Sequence, residues 1–185
     1  MMFLLILIGA VASVAVILIL IYNRLVAMRN TVRAAWSDID VILRKRYNLV
    51  GNLVSTVKGY ASHEKSTFTE VTEARATAMK ASGAMAKGRA ENVFQETLKS
   101  LFALSEAYPD LKADGNFLKL QEQLQEIEDN IEYARRYFNA SVRDYNTLIE
   151  AFPSNIVATQ FSFHREAFFE LQEEAAREPV KVQFP

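Results

Sequence analysis

The chain has no cysteine. That excludes disulfides, thiolate metal sites, a cysteine nucleophile and a lipid-modified cysteine anchor. Proline and glycine are sparse, four and six among 185 residues, and the prolines stand at 109, 153, 179 and 185. Between them the chain is rich in Ala, Leu, Glu, Lys, Arg and Gln, the good helix formers. Histidine occurs twice, as His63 and His164. Charge of one sign is also missing: 21 basic against 22 acidic side chains leave a formal net charge of −1. No global field draws such a protein to nucleic acid. The most telling absence is local, because residues 1–22 carry no charged side chain.

What fills that stretch is apolar. Phe3 to Tyr22 reads FLLILIGAVASVAVILILIY, and Asn23-Arg24 turns polar at once. Twenty helical residues rise about 30 Å, the thickness of a bilayer's hydrocarbon core. A cleaved signal peptide would need a basic segment first, a shorter apolar run and a small-residue cleavage site. No Lys or Arg precedes the run, and Ala10-Val11-Ala12 is followed by further strongly apolar residues. A buried core helix of this length would be unusual without a polar stripe. The expectation is a retained transmembrane helix. Arg24, Arg29 and Arg33 follow it. The positive-inside tendency then puts the N-terminus outside and the long C-terminal part in the cytoplasm, as a single-pass protein of the cell membrane.

The remaining residues suffice for one core, and their periodicity is helical. Trp36, Leu43, Val50 and Val57 fall seven apart, with Ile39, Arg46, Leu53 and Tyr60 three residues after each. That is an a/d seam with one odd member, Arg46. Nothing breaks the chain between the span and this seam, so one continuous helix is predicted to Tyr60 or through Ala81. Ser82-Gly83 and Lys87-Gly88 mark a corner. From Glu91 to Tyr108, Phe94, Leu98, Leu101 and Ser105 share a face, and Pro109 ends the run. A third seam places Phe117, Leu124, Ile131, Phe138, Tyr145 and Phe152 at one heptad position. Leu120, Ile127, Ala134, Ser141 and Leu148 occupy the other. Asn116 is the expected N-cap. A shorter helical stretch is predicted between Ile156 and Arg177, then an extended tail over 179–185.

Long helices on short connections pack antiparallel. The predicted class is therefore all-α, an N-terminal transmembrane helix continuous with an antiparallel, four-helix-like bundle. The segments are a span over 1–22, a membrane-proximal helical stalk over 23–34, a bundle over 35–178 and the tail. Leu25, Met28 and Val32 on the stalk stand outside the expected bundle and offer a surface for assembly.

Catalytic chemistry is thin. His63-Glu64 does not continue into a zinc-binding H-E-x-x-H pattern. There is no phosphate loop and no G-x-S-x-G nucleophile turn. Glu122, Glu126, Glu128 and Asp129, with Arg135 and Arg136 further along, read as a solvated charged face. No catalytic, cofactor or metal residue is assigned. Within Arg44-Lys45-Arg46, Arg46 is expected to pair with a carboxylate across the bundle. Those residues begin roughly 30 Å along the helix beyond the span. Arg24, Arg29 and Arg33 are therefore the candidates for lipid-headgroup contact, and Trp36 is expected in the core.

Several motifs hold together in order. They are Ala35-Trp36-Ser37-Asp38-Ile39-Asp40-Val41, Leu49-Val50-Gly51-Asn52-Leu53-Val54, Val57-Lys58-Gly59-Tyr60-Ala61-Ser62-His63-Glu64 and Ala74-Arg75. Then come Tyr108-Pro109-Asp110-Leu111-Lys112-Ala113, Ala134-Arg135-Arg136-Tyr137-Phe138-Asn139, Phe152-Pro153-Ser154-Asn155 and Pro179-Val180-Lys181-Val182-Gln183-Phe184. In these the chain resembles the LemA family of bacterial membrane proteins along essentially its whole length. Gly51 stands where the family usually has proline, Asn48 where it has an acidic residue, and Gln160-Phe161 where Gly-Phe is common. The resemblance implies a single-pass membrane protein with a helical-bundle domain, and no assigned activity.

The expected function is that of a non-enzymatic, membrane-tethered helical scaffold or interaction module. Self-assembly, envelope organisation or membrane remodelling fall within it. Its expected partners are the lipid bilayer and a second copy or another envelope protein, with no nucleic acid and no cofactor. The alternative is a ligand-binding or enzymatic bundle with a pocket lined by Tyr47, Tyr60, Arg75, Tyr137 and Tyr145.

Overall fold

A computed structural model describes residues 1–170. The expected tail over 179–185, and the parts of the bundle and last helical stretch beyond Glu170, lie outside the described residues. The elements are all helices: α1 (Met2–Tyr60), α2 (Lys65–Lys80), α3 (Ala84–Ser105), α4 (Pro109–Lys112), α5 (Gly115–Glu150) and α6 (Ser154–Gln160). The all-α class holds, and so does the continuity of the apolar run with the first seam. The described residues form two compact units, one of residues 1–43 with 128–168, the other of residues 44–127 with Phe169–Glu170.

In the first unit, residues 1–20 of α1 are exposed throughout. This removes the buried-core reading of the apolar run. Its Leu, Ile, Val and Phe side chains would each cost about 1.5–3 kcal/mol in water. Together that is tens of kcal/mol, against roughly 5–15 kcal/mol for the net stability of a domain. The segment requires an apolar surrounding of its own. Beyond it, Leu25, Val32, Ala35 and Ile39 are buried. The stretch expected to stand outside the bundle thus packs inside this unit. Its partner is α5, which buries Ile131, Phe138, Val142 and Tyr145. Trp36 packs on Phe138 with ring centroids 5.3 Å apart. Tyr145, two turns later on α5, feels the charges of Arg29 and Arg33, earlier on α1. The two helices therefore run antiparallel.

In the second unit, the later part of α1 meets α2 and α3. The Nε of Arg75 donates to the carbonyl of Tyr47 at 2.7 Å, and Lys58 lies over the Phe68 ring at 5.5 Å. Rising along α1 therefore means descending along α2, which is antiparallel packing. The helix α1 ends at Tyr60 and does not run through Ala81, because Ala61–Glu64 turn the chain. The corner at Ser82-Gly83 is real, with Gly83 at φ 79°. Lys87-Gly88, however, lies inside α3 and both residues are buried. Gly88 serves close approach: a Cβ there would stand 2.5 Å from the carbonyl oxygen of Glu170. Phe94, Leu98, Leu101 and Ser105 form the buried face of α3 as the spacing predicts.

Three terminal details depart from expectation. The cap of α5 is Asp114 and not Asn116: its Oδ1 accepts from the Phe117 N–H at 2.8 Å. A carboxylate there also meets the positive end of the helix dipole. The seam members Tyr60 and Phe152 are exposed, at 42% and 81%. Each lies at or beyond a helix end, Tyr60 as the last residue of α1 and Phe152 two residues past α5. Finally, among the described residues the last helical stretch is α6, seven residues long, and the chain from Phe161 to Glu170 is not helical. Ser162 adopts a positive φ of 55° directly after it.

The core positions carry graded costs. Phe138→Ala and Phe94→Ala should each destabilise the full chain in detergent by about 3–5 kcal/mol, whereas exposed Val93→Ala should stay within about 0.5 kcal/mol. Denaturant unfolding measures both.

Asp114 gives a pH signature. The Phe117 N–H and the Tyr60 hydroxyl, the latter at 2.9 Å, hold its carboxyl below the ordinary value of 3.8. A depressed folded value means the cap's contribution is complete above 3.8 and is lost as pH falls through the lowered value. Asp114→Ala should therefore lower the thermal midpoint at neutral pH, and its difference from the unaltered chain should shrink as acid is added below that value.

Candidate functional site

The chemistry-bearing side chains gather in two places, one in each unit. In the second unit the odd seam member Arg46 is buried, and its guanidinium donates to Glu91 Oε2 at 2.7 Å. The two side chains are 2% and 0% exposed. The Tyr47 hydroxyl donates to the other carboxylate oxygen, Glu91 Oε1. Lys87, also buried, donates to the carbonyl of Ala78 at 2.8 Å and lies over the Tyr47 ring at 5.7 Å. Arg46 lies over the Phe94 ring at 5.1 Å. Both oxygens of the carboxylate are thus engaged by this chain's own donors. The arrangement is that of a buried polar lock rather than a poised acid or base. The expected carboxylate partner of Arg46 is Glu91.

Glu91 and Lys87 had no assigned role in the sequence. The signal was present: 87, 91, 94, 98, 101 and 105 follow helical spacing, so two charges share the apolar face of α3. One cation on the facing seam and one carboxylate here form a complementary pair.

In the first unit, the end of the apolar run meets the chain around α6. Tyr22 packs edge-on against Phe161 and Phe163, with centroids at 4.8 and 5.8 Å. Arg29 lies over the Phe163 ring at 4.8 Å. Asn146 holds the segment after α6 with two bonds: its amide donates to the Glu166 carbonyl and its oxygen accepts from the Glu166 N–H, each at 2.9 Å. Arg165 pairs with Glu150 at 3.0 Å. Burial raises the Tyr145 phenol above its ordinary value of 10, with Arg29 and Arg33 opposing and Glu166 adding to the shift. Beside Tyr22 lies an almost wholly apolar groove of about 350 Å³, lined by Leu18, Ile19, Tyr22, Ile156, Val157, Gln160 and Phe161.

Of the headgroup candidates, Arg24 and Arg33 are exposed and Arg29 is half-buried against Phe163. Of the five residues expected to line a ligand pocket, Tyr47 is locked to Glu91 and Arg75 holds the Tyr47 carbonyl. Tyr60 is exposed on Asp114. Tyr137 and Tyr145 belong to the other unit, Tyr137 at the surface and Tyr145 buried. His63 and His164 are both exposed. No group of three His, Asp or Glu side chains among the described residues is placed to hold a metal. The groove residues Ile156, Val157 and Phe161 were missed as a set. They follow the Phe152-Pro153 break, where no heptad pattern continues to flag them.

Comparison with known proteins gives the lineage. The LemA family profile matches residues 35–184. Magnetosome protein MamQ 2 of Paramagnetospirillum magneticum is 27% identical over 88% of this chain and 69% of its own length. Magnetosome protein MamQ of Magnetospirillum gryphiswaldense is 28% identical over 82% of this chain and 65% of its own. Protein LemA of Metamycoplasma hominis is 26% identical over 82% and 69%. These relatives and the exposed apolar helix fit a membrane protein.

The polar lock has a clear mutational signature. Glu91→Gln removes the charge that compensates buried Arg46 and should cost about 3–5 kcal/mol. Tyr47→Phe removes one bond to a charged group and should cost less, about 1.5–3 kcal/mol. Adding Arg46→Met to Glu91→Gln should recover much of the loss in a denaturant titration, because the pair is then removed together.

Proposed function

This chain belongs to the LemA family, and we propose from that starting point that it is a non-enzymatic, membrane-tethered helical scaffold that assembles with itself or with another envelope protein. The carrying observation is α1, one unbroken helix from Met2 to Tyr60 whose first twenty residues are exposed and apolar. On this reading Phe3–Tyr22 crosses the cell membrane once. Arg24, Arg29 and Arg33 contact anionic headgroups on the cytoplasmic side, where basic residues are retained. The rest of the chain works in the cytoplasm.

Two features support a scaffold over an enzyme. The buried Arg46, Tyr47 and Glu91 side chains bond one another, so they serve packing. Tyr133 and Tyr137, one turn apart on α5, are 69% and 58% exposed, and exposed tyrosines of this kind are favoured at protein interfaces. The family match and the relatives named as magnetosome proteins and as LemA support a membrane-associated helical protein, and within that we place the scaffold in envelope organisation or membrane remodelling.

Crosslinking the full-length protein in cells and reading the products by mass tests this. The expected products are multiples of the chain or a defined heteromeric species, reduced by Tyr133→Ala with Tyr137→Ala. A strictly monomeric, partnerless protein overturns the scaffold reading. A C-terminal reporter active only outside the cytoplasm overturns the orientation.

A further inference from the structure

The apolar surface around α6 has a geometry that the scaffold reading leaves unused. Phe152, Ile156 and Phe161 are 81%, 59% and 58% exposed. No polar contact explains their exposure. Their position does. Ile156 and Phe161 share the groove with Leu18 and Ile19, which belong to the last turns of the apolar run. Phe152 stands in the turn between the end of α5 at Glu150 and the start of α6, four residues before Ile156.

We infer that the segment Phe152–Phe161 is a second point of membrane entry. Phe152, Ile156 and Phe161 insert into the bilayer interface beside the span, and the groove against Leu18, Ile19 and Tyr22 holds a phospholipid acyl chain. This rests on the reading of Phe3–Tyr22 as a membrane span.

The occupant follows from two observations. First, the groove is continuous with the span. A bilayer that covers Leu18 and Ile19 on α1 reaches the side chains level with them. Tyrosine and tryptophan are favoured at that depth, and Tyr22 pairs there with Phe161 at 4.8 Å. Second, the charge is complementary to an anionic headgroup. No Asp or Glu occurs before Asp38, while Arg24, Arg29 and Arg33 follow the span. Among nearby acids, Glu150 is paired with Arg165, and the carboxylate of Glu166 is outnumbered by Arg24, Arg29 and Arg33. Arg29, fixed over Phe163, stands about 10 Å beyond Tyr22 along the helix, within reach of the headgroup layer.

Single tryptophans test the inference in the full chain. Trp36→Phe supplies the background, and Phe161→Trp, Ile156→Trp or Val41→Trp the reporter. Val41 is exposed on the same helix as the span, about 28 Å beyond Tyr22. Each protein is reconstituted into phosphatidylcholine and phosphatidylglycerol vesicles, with and without lipid brominated near the headgroup end of the acyl chain. The expected result is blue-shifted emission quenched by brominated lipid at 161 and 156, with water-like, unquenched emission at 41. Unquenched emission at 161 and 156 in protein that resists carbonate extraction overturns the inference and leaves the span standing. A blue-shifted but unquenched signal there assigns the face to a second protein copy and also overturns it. Release of the protein by carbonate overturns the span reading, and this inference with it.

Discussion

The constraint on which the rest depends is that the first twenty residues of α1 cannot remain in water. Their apolar burden exceeds the net stability of any ordinary domain several-fold, so an apolar surrounding is part of the structure. Because the helix does not break after Tyr22, that requirement is passed on. Leu25, Val32, Ala35 and Ile39 are buried on the same helix a few turns later. The helix thereby carries both the exposed apolar run and part of the core, with no linker between the two.

Within the second unit the organising interaction is ionic. An arginine in an apolar seam is expensive to desolvate, and Arg46 is tolerated because Glu91 meets it and Tyr47 fills the second carboxylate oxygen. Such a lock adds little net stability over an apolar pair. What it supplies is register: a turn's slip of α3 against α1 would leave Arg46 without its carboxylate. Gly88 adds a steric condition, since only a residue without a side chain leaves room for the backbone at Glu170. Charge and close approach together select one alignment from the several that heptad spacing alone would allow.

Much of the fold was legible because periodicity reports burial directly. The seams through Leu43, Val50 and Val57, through Phe94, Leu98 and Leu101, and through Phe117, Leu124 and Ile131 are buried as their spacing implies. The failures have two causes. Asp114 caps α5 through the Phe117 N–H three residues on, a local matter of where the helix starts between two capping residues. At Tyr60, Phe152 and Lys87-Gly88 the surroundings decide the outcome, and spacing carries no information about neighbours. Glycine after lysine reads as a corner by local preference, yet inside α3 it answers to a distant backbone. Arg46 was readable as paired, since a lone charge in a seam demands it. Its partner needed the further step of noticing that Glu91 sits in phase with the apolar face of α3. The site around α6 was illegible because its elements come from opposite ends of the chain and follow no shared period.

Tyr60 and Phe152 show how much follows from one hydroxyl. Both occupy heptad positions at the end of a seam, and both are exposed. Tyr60 resolves its exposure through a hydrogen bond to Asp114, so water can surround the ring's edge at small cost. Phe152 has no polar atom to satisfy, and neither do Ile156 and Phe161 nearby. An exposed aromatic of the first kind is stable in solution. A cluster of the second kind beside an apolar helix end leaves apolar area in water that burial in an apolar medium would remove. The surface of the first unit and its apolar run therefore pose one problem of solvation rather than two, and the bilayer insertion we propose would answer both.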